Sequence, residues 1–491
     1  MKELKLIRIM QKLSPAELKE FEKFIISPYF NKGRNLLPYY KVLKKFYPEF
    51  DSPSFTKEEI YLKLNKGAKF DKKANSLINK LNSELTFLMD KYLTISEFEK
   101  DSYQNGVFLS QAFNKKGLFE NGLNTISKTN KLLDEGGVDP EYFISKRKLL
   151  HIKADALEGK RNMKEYFDLP EELSLINAVY THISYFDEYC SELIGKVELN
   201  KTSNMFTFSE TLKENNFNVI LNKIKTRNGI YAVIYEIYYA MYAAFSDILN
   251  TDKYINFKLK VFNNLYLFRN SEKHFLLKNL SNLCTISEKR SGSKKITEFY
   301  DIYNKMLVER AYSYIDNFID SMTFDNILIN YIQLKKFNEA EQFIINFSEK
   351  LPATNRELFI NLAYSRLYFE MKEFEKGFKF ISGIKKDDMY DISIKQLTIL
   401  YFYELRYYEE ALAQISSFKR FLKESKKISK TNLNRYYGFA SGVNILIESI
   451  NNNSNKGVIH KINSIIEKYP ALYRKNWLLR KAQELEETLK L

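Results

Sequence analysis

YIQLKKFNEAEQFI (331–344), YFEMKEFEKGFKFI (368–381) and FYELRYYEEALAQI (402–415) are three versions of one pattern. Each opens on an aromatic residue: Tyr331, Tyr368 and Phe402. A second aromatic follows six residues on: Phe337, Phe374 and Tyr408. Three further comes a small residue, Ala340, Gly377 or Ala411, and four after that an isoleucine, Ile344, Ile381 or Ile415. The second copy lies 37 residues after the first and the third 34 after the second. Apolar residues spaced by three and four share one face of a helix. Each stretch therefore predicts the end of one helix, a tight turn and the start of the next. Neither helix of such a pair can bury its apolar face alone, so neighbouring pairs must stack. The small residue removes side-chain bulk where the two axes cross.

Outward from the repeats, the chain predicts helices throughout. Its 491 residues contain only 16 Gly and 9 Pro, although a β-rich chain of this length needs many turns built from both. Residues 1–98 predict a separate helical module. Ser14-Pro15-Ala16-Glu17 has the form of a capping box with Pro at the first helical position. A third helix is expected near Leu36 to Phe46. Thr56 with Glu59 suggests a second capping box. Asp71 caps a long helix whose apolar stripe is Leu77, Ile78, Leu81, Leu85, Leu88 and Tyr92. Its other face carries Lys72, Lys73, Asn75, Asn79 and Lys80, the outline of a helix-turn-helix reader with a long loop and no wing. Residues 105–320 predict helices without a clear period, joined near Thr202-Ser203-Asn204, Asn215-Asn216 and Ser291-Gly292-Ser293. FNKKGLFENGLNTI at 113–126 follows the repeat pattern in outline. Residues 321–491 hold the repeats, a helix over Tyr436 to Ile450, another over Lys456 to Lys468, and a final capping helix from Tyr473 to Leu489 with Trp477 and Leu478 among charges.

The formal charge of +15 is carried mainly by Lys. It is open to two readings: a nucleic-acid or anionic-membrane partner, or a coding bias that raises Lys, Asn, Ile, Phe and Tyr together. Residues 1–100 carry 20 Lys and Arg against 13 Asp and Glu. Cys190 and Cys284 lie far apart in helical contexts, as expected of reduced thiols in a cytoplasmic protein. The first residues lack the apolar run of a signal peptide. The stretch IYAVIYEIYYAMYAAFSDIL at 230–249 holds Glu236, Asp247 and five tyrosines, so it predicts a buried helix and no membrane span.

No catalytic, metal or cofactor constellation emerges. His151, His182, His274 and His460 have no Cys, Asp or Glu at ligand spacing. His182 and Cys190 fall two turns apart on one helix. Gly292-Ser293-Lys294-Lys295 lacks the rest of a phosphate loop. Glu171-Glu172, Asp387-Asp388 and Glu486-Glu487 sit in polar stretches and read as surface.

The 34-residue period and the internal spacing resemble the tetratricopeptide-repeat (TPR) family. Phe337-Asn338-Glu339-Ala340 and Tyr408-Glu409-Glu410-Ala411 look like that family's turn and small-residue step, and Pro352 falls at its terminal proline. The early Trp position departs from the family, holding Phe324, Asn361 and Lys395. The resemblance implies an all-α chain whose N-terminal module is followed by an α-solenoid of helix hairpins. It implies a non-enzymatic scaffold or adaptor that offers its first helices to a protein or peptide partner. Groove-facing positions would include Asp325, Ile329, Leu362, Arg366, Phe369, Leu400 and Tyr403, with Arg366, Phe369 and Tyr403 as the candidate partner-binding residues. The family's clamp for a terminal carboxylate is not built, because its places hold Asp325, Ile329, Leu362, Arg366, Gln396 and Leu400. The alternative function is association with nucleic acid through the basic N-terminal module.

Overall fold

The computed structural model describes residues 1–199, 217–314, 318–353, 356–384, 391–425, 430–452, 457–469 and 472–487. Among them are 23 α-helices, two short 3₁₀ turns and no β-strand, so the chain is all-α. The expected connectors at Thr202-Ser203-Asn204 and Asn215-Asn216, the pair Asp387-Asp388 and Leu489 lie outside the described residues. The backbone groups into two compact units, Met1–Tyr180 and Thr181–Leu491.

In the first unit, α1 (Lys5–Met10), α2 (Pro15–Ile26), α3 (Leu37–Lys44), α4 (Lys57–Leu64) and α5 (Lys72–Lys100) enclose one core running from Leu6 to Tyr92. The Ser14 capping box is present: Ser14 Oγ accepts from the Glu17 amide at 3.2 Å, and Glu17 Oε2 accepts from the Ser14 amide at 2.8 Å. Thr56 forms only half of the expected box, accepting from the Glu59 amide at 3.2 Å. Asp71 caps α5 by accepting from the Ala74 amide at 2.8 Å. The stripe from Ile78 to Tyr92 is buried, with Leu77 half-buried at its edge. α6 (Ser102–Lys115), α7 (Phe119–Glu135) and α8 (Pro140–Gly159) follow, and α9 (Met163–Leu199) carries the chain into the second unit.

The second unit continues with α10 (Phe217–Arg227), α11 (Gly229–Ser246), α12 (Thr251–Asn264), α13 (Asn270–Ser291) and α14 (Ile296–Val308). The apolar stretch at 230–249 forms the largely buried helix α11 as far as Ser246, and no helix among the described residues is long and apolar enough to cross a membrane. The connector at Gly292 ends α13 in a left-handed conformation. Then come three hairpins: α15 (Ser321–Gln333) with α16 (Phe337–Phe347), α17 (Arg356–Glu370) with α18 (Phe374–Ser382), and α19 (Asp391–Glu404) with α20 (Tyr408–Glu424). α21 (Lys430–Asn451), α22 (Val458–Lys468) and α23 (Lys475–Glu487) complete the chain.

Among the described residues, the chain turns in one way six times. At 113–118, 157–162, 306–311, 331–336, 368–373 and 402–407, the last amide of the segment donates to the first carbonyl at 2.8–2.9 Å. The residue before that amide is left-handed in every case: Gly117, Arg161, Arg310, Lys335, Lys372 and Arg406, with φ between 55° and 73°. This hydrogen bond back across a left-handed residue is the Schellman ending of a helix. It explains the six-residue step of the repeat. The first aromatic supplies the accepting carbonyl, and the second opens the next helix one residue after the donor. Five of the six left-handed residues are Lys or Arg. A non-glycine residue pays roughly 1–2 kcal/mol for that conformation. A cation beside the negative end of a helix recovers about 0.3–1 kcal/mol of it.

The small residues sit where the axes cross. Ala340 and Ala411 are completely buried. A Cβ on Gly377 would lie 1.9 Å from Tyr401 Oη of the next hairpin and 3.0 Å from Tyr368 Cβ. In the α6–α7 hairpin, Phe113, Phe119, Gly122 and Ile126 repeat the spacing and Gly117 supplies the turn, so the pattern occurs in both units.

Candidate functional site

The three residues expected to receive a partner lie at the ends of α17 and α19, and none projects freely. Arg366 pairs through its guanidinium with Asp325, linking α17 to α15. Phe369 and Tyr403 are 4% and 6% exposed. Leu362 and Leu400 are wholly buried core, and Ile329 is half-buried. The first helices α17 and α19 are covered almost all round, whereas the second helices α16, α18 and α20 keep an exposed face.

The cover at these ends is α23. Phe369-Glu370 and Tyr403-Glu404 are aromatic–glutamate pairs 34 residues apart at one step of successive first helices. Arg474, immediately before α23, forms an ion pair with Glu370 and lies over the Phe369 ring at 5.4 Å. Trp477 donates its indole N–H to Glu404 Oε1 at 2.7 Å and meets the Tyr403 ring edge-on at 5.1 Å. Lys481 takes the other Glu404 oxygen at 2.8 Å. The Glu404 side chain is only 7% exposed, and its two oxygens are shared between an indole and an ammonium. Burial works against the charge of Arg474, but Tyr473 and Glu370 outweigh it and raise its pKa. Burial likewise works against Lys481, and Glu404 and Glu484 outweigh it. Arg474 is itself left-handed, with φ 57°. Its ion pair and ring stacking oppose that strain.

Elsewhere the reactive groups are held in packed surroundings. Cys190 is fully buried and its thiol is pushed far up by burial, so little thiolate is present near neutral pH. His182 packs against Phe186, Phe217 and Tyr235, which makes it part of an aromatic cluster. Burial pushes the Cys284 thiol up to about 11, and it donates to Tyr254 Oη at 3.4 Å. Tyr254 and Lys258 both donate to Glu298 Oε2 at 2.7 Å, and Lys258 reaches Asp301 at 2.8 Å. That network ties α12 to α13 and α14. His274 is completely buried, bonded through Nδ1 to the Ala311 carbonyl at 3.0 Å, and burial lowers its pKa. No group of three metal-ligating side chains occurs among the described residues.

On the N-terminal module, Lys72, Lys73 and Lys80 are exposed, and no acidic partner contacts them among the described residues. Asn79 accepts from Lys57 at 2.7 Å, and Asn75 is half-buried.

Arg366, Phe369 and Tyr403 are the positions the repeat spacing singles out, whereas Glu370, Glu404 and their partners at α23 are not among them. The signal was present, since an aromatic–glutamate pair recurs at the repeat period. It was hidden because contacts spanning 73 and 104 residues leave no local trace. No protein-family model and no curated protein sequence matches the chain.

Proposed function

We propose that this protein is a cytoplasmic helical-repeat scaffold of TPR type that binds a protein or peptide partner and performs no chemistry of its own. Residues 1–98 form an appended module, 105–320 irregular helical repeats, and 321–491 the part that meets the partner. The observation that carries this reading is the platform at Phe369-Glu370 and Tyr403-Glu404. Successive hairpins there present equivalent side chains, and those side chains hold a helix by directional bonds as well as by apolar burial. Repeat arrays recognise partners through such serial surfaces. Buried, unpaired Cys190 and Cys284 support a reducing compartment. The test is capture from the native host on immobilised full-length chain at physiological salt, followed by mass spectrometry. A protein partner retained in stoichiometric amount supports the reading. Recovery of nucleic acid alone overturns it.

A second reading has its own observation. Lys66, Lys69, Lys72, Lys73 and Lys80 are all exposed on one short segment of the N-terminal module. Phosphate contacts by such lysines give binding that falls steeply with salt. Nanomolar binding of DNA or RNA at about 150 mM salt, lost on changing Lys72, Lys73 and Lys80 to Glu, would place function there instead.

A further inference from the structure

The chemistry of the partner can be read from what the platform already holds. Trp477 and Lys481, four apart, share one face of α23, and Arg474 stands at the left-handed residue just before that helix starts. Arg474 answers Phe369-Glu370, while Trp477 and Lys481 answer Tyr403-Glu404. The neighbouring face of α23 is of another kind. Leu478 and Ala482 are completely buried, and a Cβ on Gly442 of α21 would lie 2.9 Å from a Leu478 methyl. Apolar burial of that kind suffices to hold a capping helix. A buried ion pair such as Lys481–Glu404 adds little net stability compared with apolar packing, and a partly exposed one such as Arg474–Glu370 adds little as well. What they add is selection between sequences.

We infer that the platform is a recognition site for an amphipathic helix that carries Trp and Lys four residues apart in its first two turns and an Arg at the residue just before its start, three ahead of the Trp. α23 is its resident occupant, and a partner helix with the same pattern competes with α23 for it. This rests on the scaffold reading and names the partner's chemistry.

Trp477 is the only tryptophan in the chain, so its emission reports occupancy. The full-length variant Arg474→Glu, Lys481→Glu sets like charges against Glu370 and Glu404. Its Trp477 emission should move to the red with unchanged far-ultraviolet circular dichroism. A fluorescein-labelled peptide of residues 472–487 should bind this variant at least about tenfold more tightly than the wild-type chain, where α23 competes. Adding Glu370→Lys and Glu404→Lys should redock the charge-reversed α23, restoring blue emission and abolishing binding of the peptide. Unchanged emission without peptide binding in the double variant overturns the inference. Should that variant not fold, hydrogen exchange of the wild-type chain decides. α23 amides that open independently of α21 and α22 support the inference, and α23 opening only together with them overturns it. A partner captured equally by the wild-type chain and by Glu370→Lys, Glu404→Lys overturns the inference and leaves the scaffold reading standing.

Discussion

The N-terminal module and the three hairpins solve the same problem at different ranges along the chain. In the module, distant residues close one core. Lys5 pairs with Asp90 at 2.8 Å, Tyr92 donates to the Glu17 carbonyl at 3.2 Å, and Lys91 donates to the Phe30 carbonyl at 3.2 Å. Between neighbouring hairpins, side-chain bonds reach one repeat away, and the contacts of Glu370 and Glu404 with the α23 end of the chain reach further. Asn330 donates to the Ile296 carbonyl at 2.9 Å, Tyr368 to Glu341 at 3.1 Å, and Tyr401 to the Ser365 carbonyl. A core closed by long-range contacts stands or falls as a unit. An array of neighbour contacts loses stability locally.

The largest effect should come from cutting the module's core. Phe21 is completely buried, with ring centroids 5.4 Å from both Tyr40 and Tyr92. Phe21→Ala should cost about 3–5 kcal/mol. Hydrogen exchange should show protection lost together across α1 to α5 while the hairpins keep theirs. Loss confined to α2 would erase the contrast between the two regions.

Overpacking one hairpin crossing should cost less and spread less. Ala411→Leu forces a larger side chain into a fully buried crossing and should lower stability by about 1–3 kcal/mol. Protection should fall in α19 and α20 and their immediate neighbours, with α1 to α5 untouched. An unchanged denaturation midpoint would show that Ala411 is not at a close approach.

Gly377→Ala sets two terms against each other. Replacing a helical glycine gains about 0.5–1 kcal/mol. The new Cβ would fall 1.9 Å from Tyr401 Oη, which is held by its bond to the Ser365 carbonyl. Overpacking should win in the wild-type background and cost less in Tyr401→Phe, where the oxygen is gone but the ring Cζ stays 2.8 Å from the new Cβ. A double-mutant cycle by chemical denaturation reads the coupling. Equal effects of Gly377→Ala in both backgrounds would separate the glycine from the tyrosine hydroxyl.

Much of this was legible in the sequence. The repeat spacing gave the hairpins, and the Ser14 box and the Asp71 cap gave the starts of α2 and α5, because those signals lie within a few residues. The Glu59 half of the second box failed, since a side chain can satisfy a cap without the reciprocal bond. The candidate site was half legible. Phe369 and Tyr403 belong to the repeat, but their burial under α23 depends on where a helix some hundred residues later comes to rest. The turns were obscured by residue type. A left-handed helix ending normally advertises itself as glycine, and five of the six here hold Lys or Arg.

That substitution pattern permits the finest test of the hairpins against the module. Lys372 is exposed and left-handed, with φ 63°, between α17 and α18. Lysine there pays roughly 1–2 kcal/mol for its backbone and recovers about 0.3–1 kcal/mol from the negative end of α17. Glycine removes the strain, forfeits the charge, and carries an unfolded-state entropy penalty of about 0.5–1 kcal/mol. The terms nearly cancel, so Lys372→Gly should leave the hairpin within about 1 kcal/mol of the wild type in either direction. Lys372→Ala keeps the strain and loses the charge, so it should be less stable than the wild type by about 0.3–1 kcal/mol. Glycine and lysine should lie close together, both above alanine. Denaturation midpoints of the full-length variants check it, with the same changes at Lys335 as a repeat. Alanine at or above lysine would remove the role of the helix dipole, and glycine below alanine would remove the role of backbone strain. Low salt should widen the Lys–Ala gap and leave the Gly–Ala gap unchanged, because only the first is electrostatic.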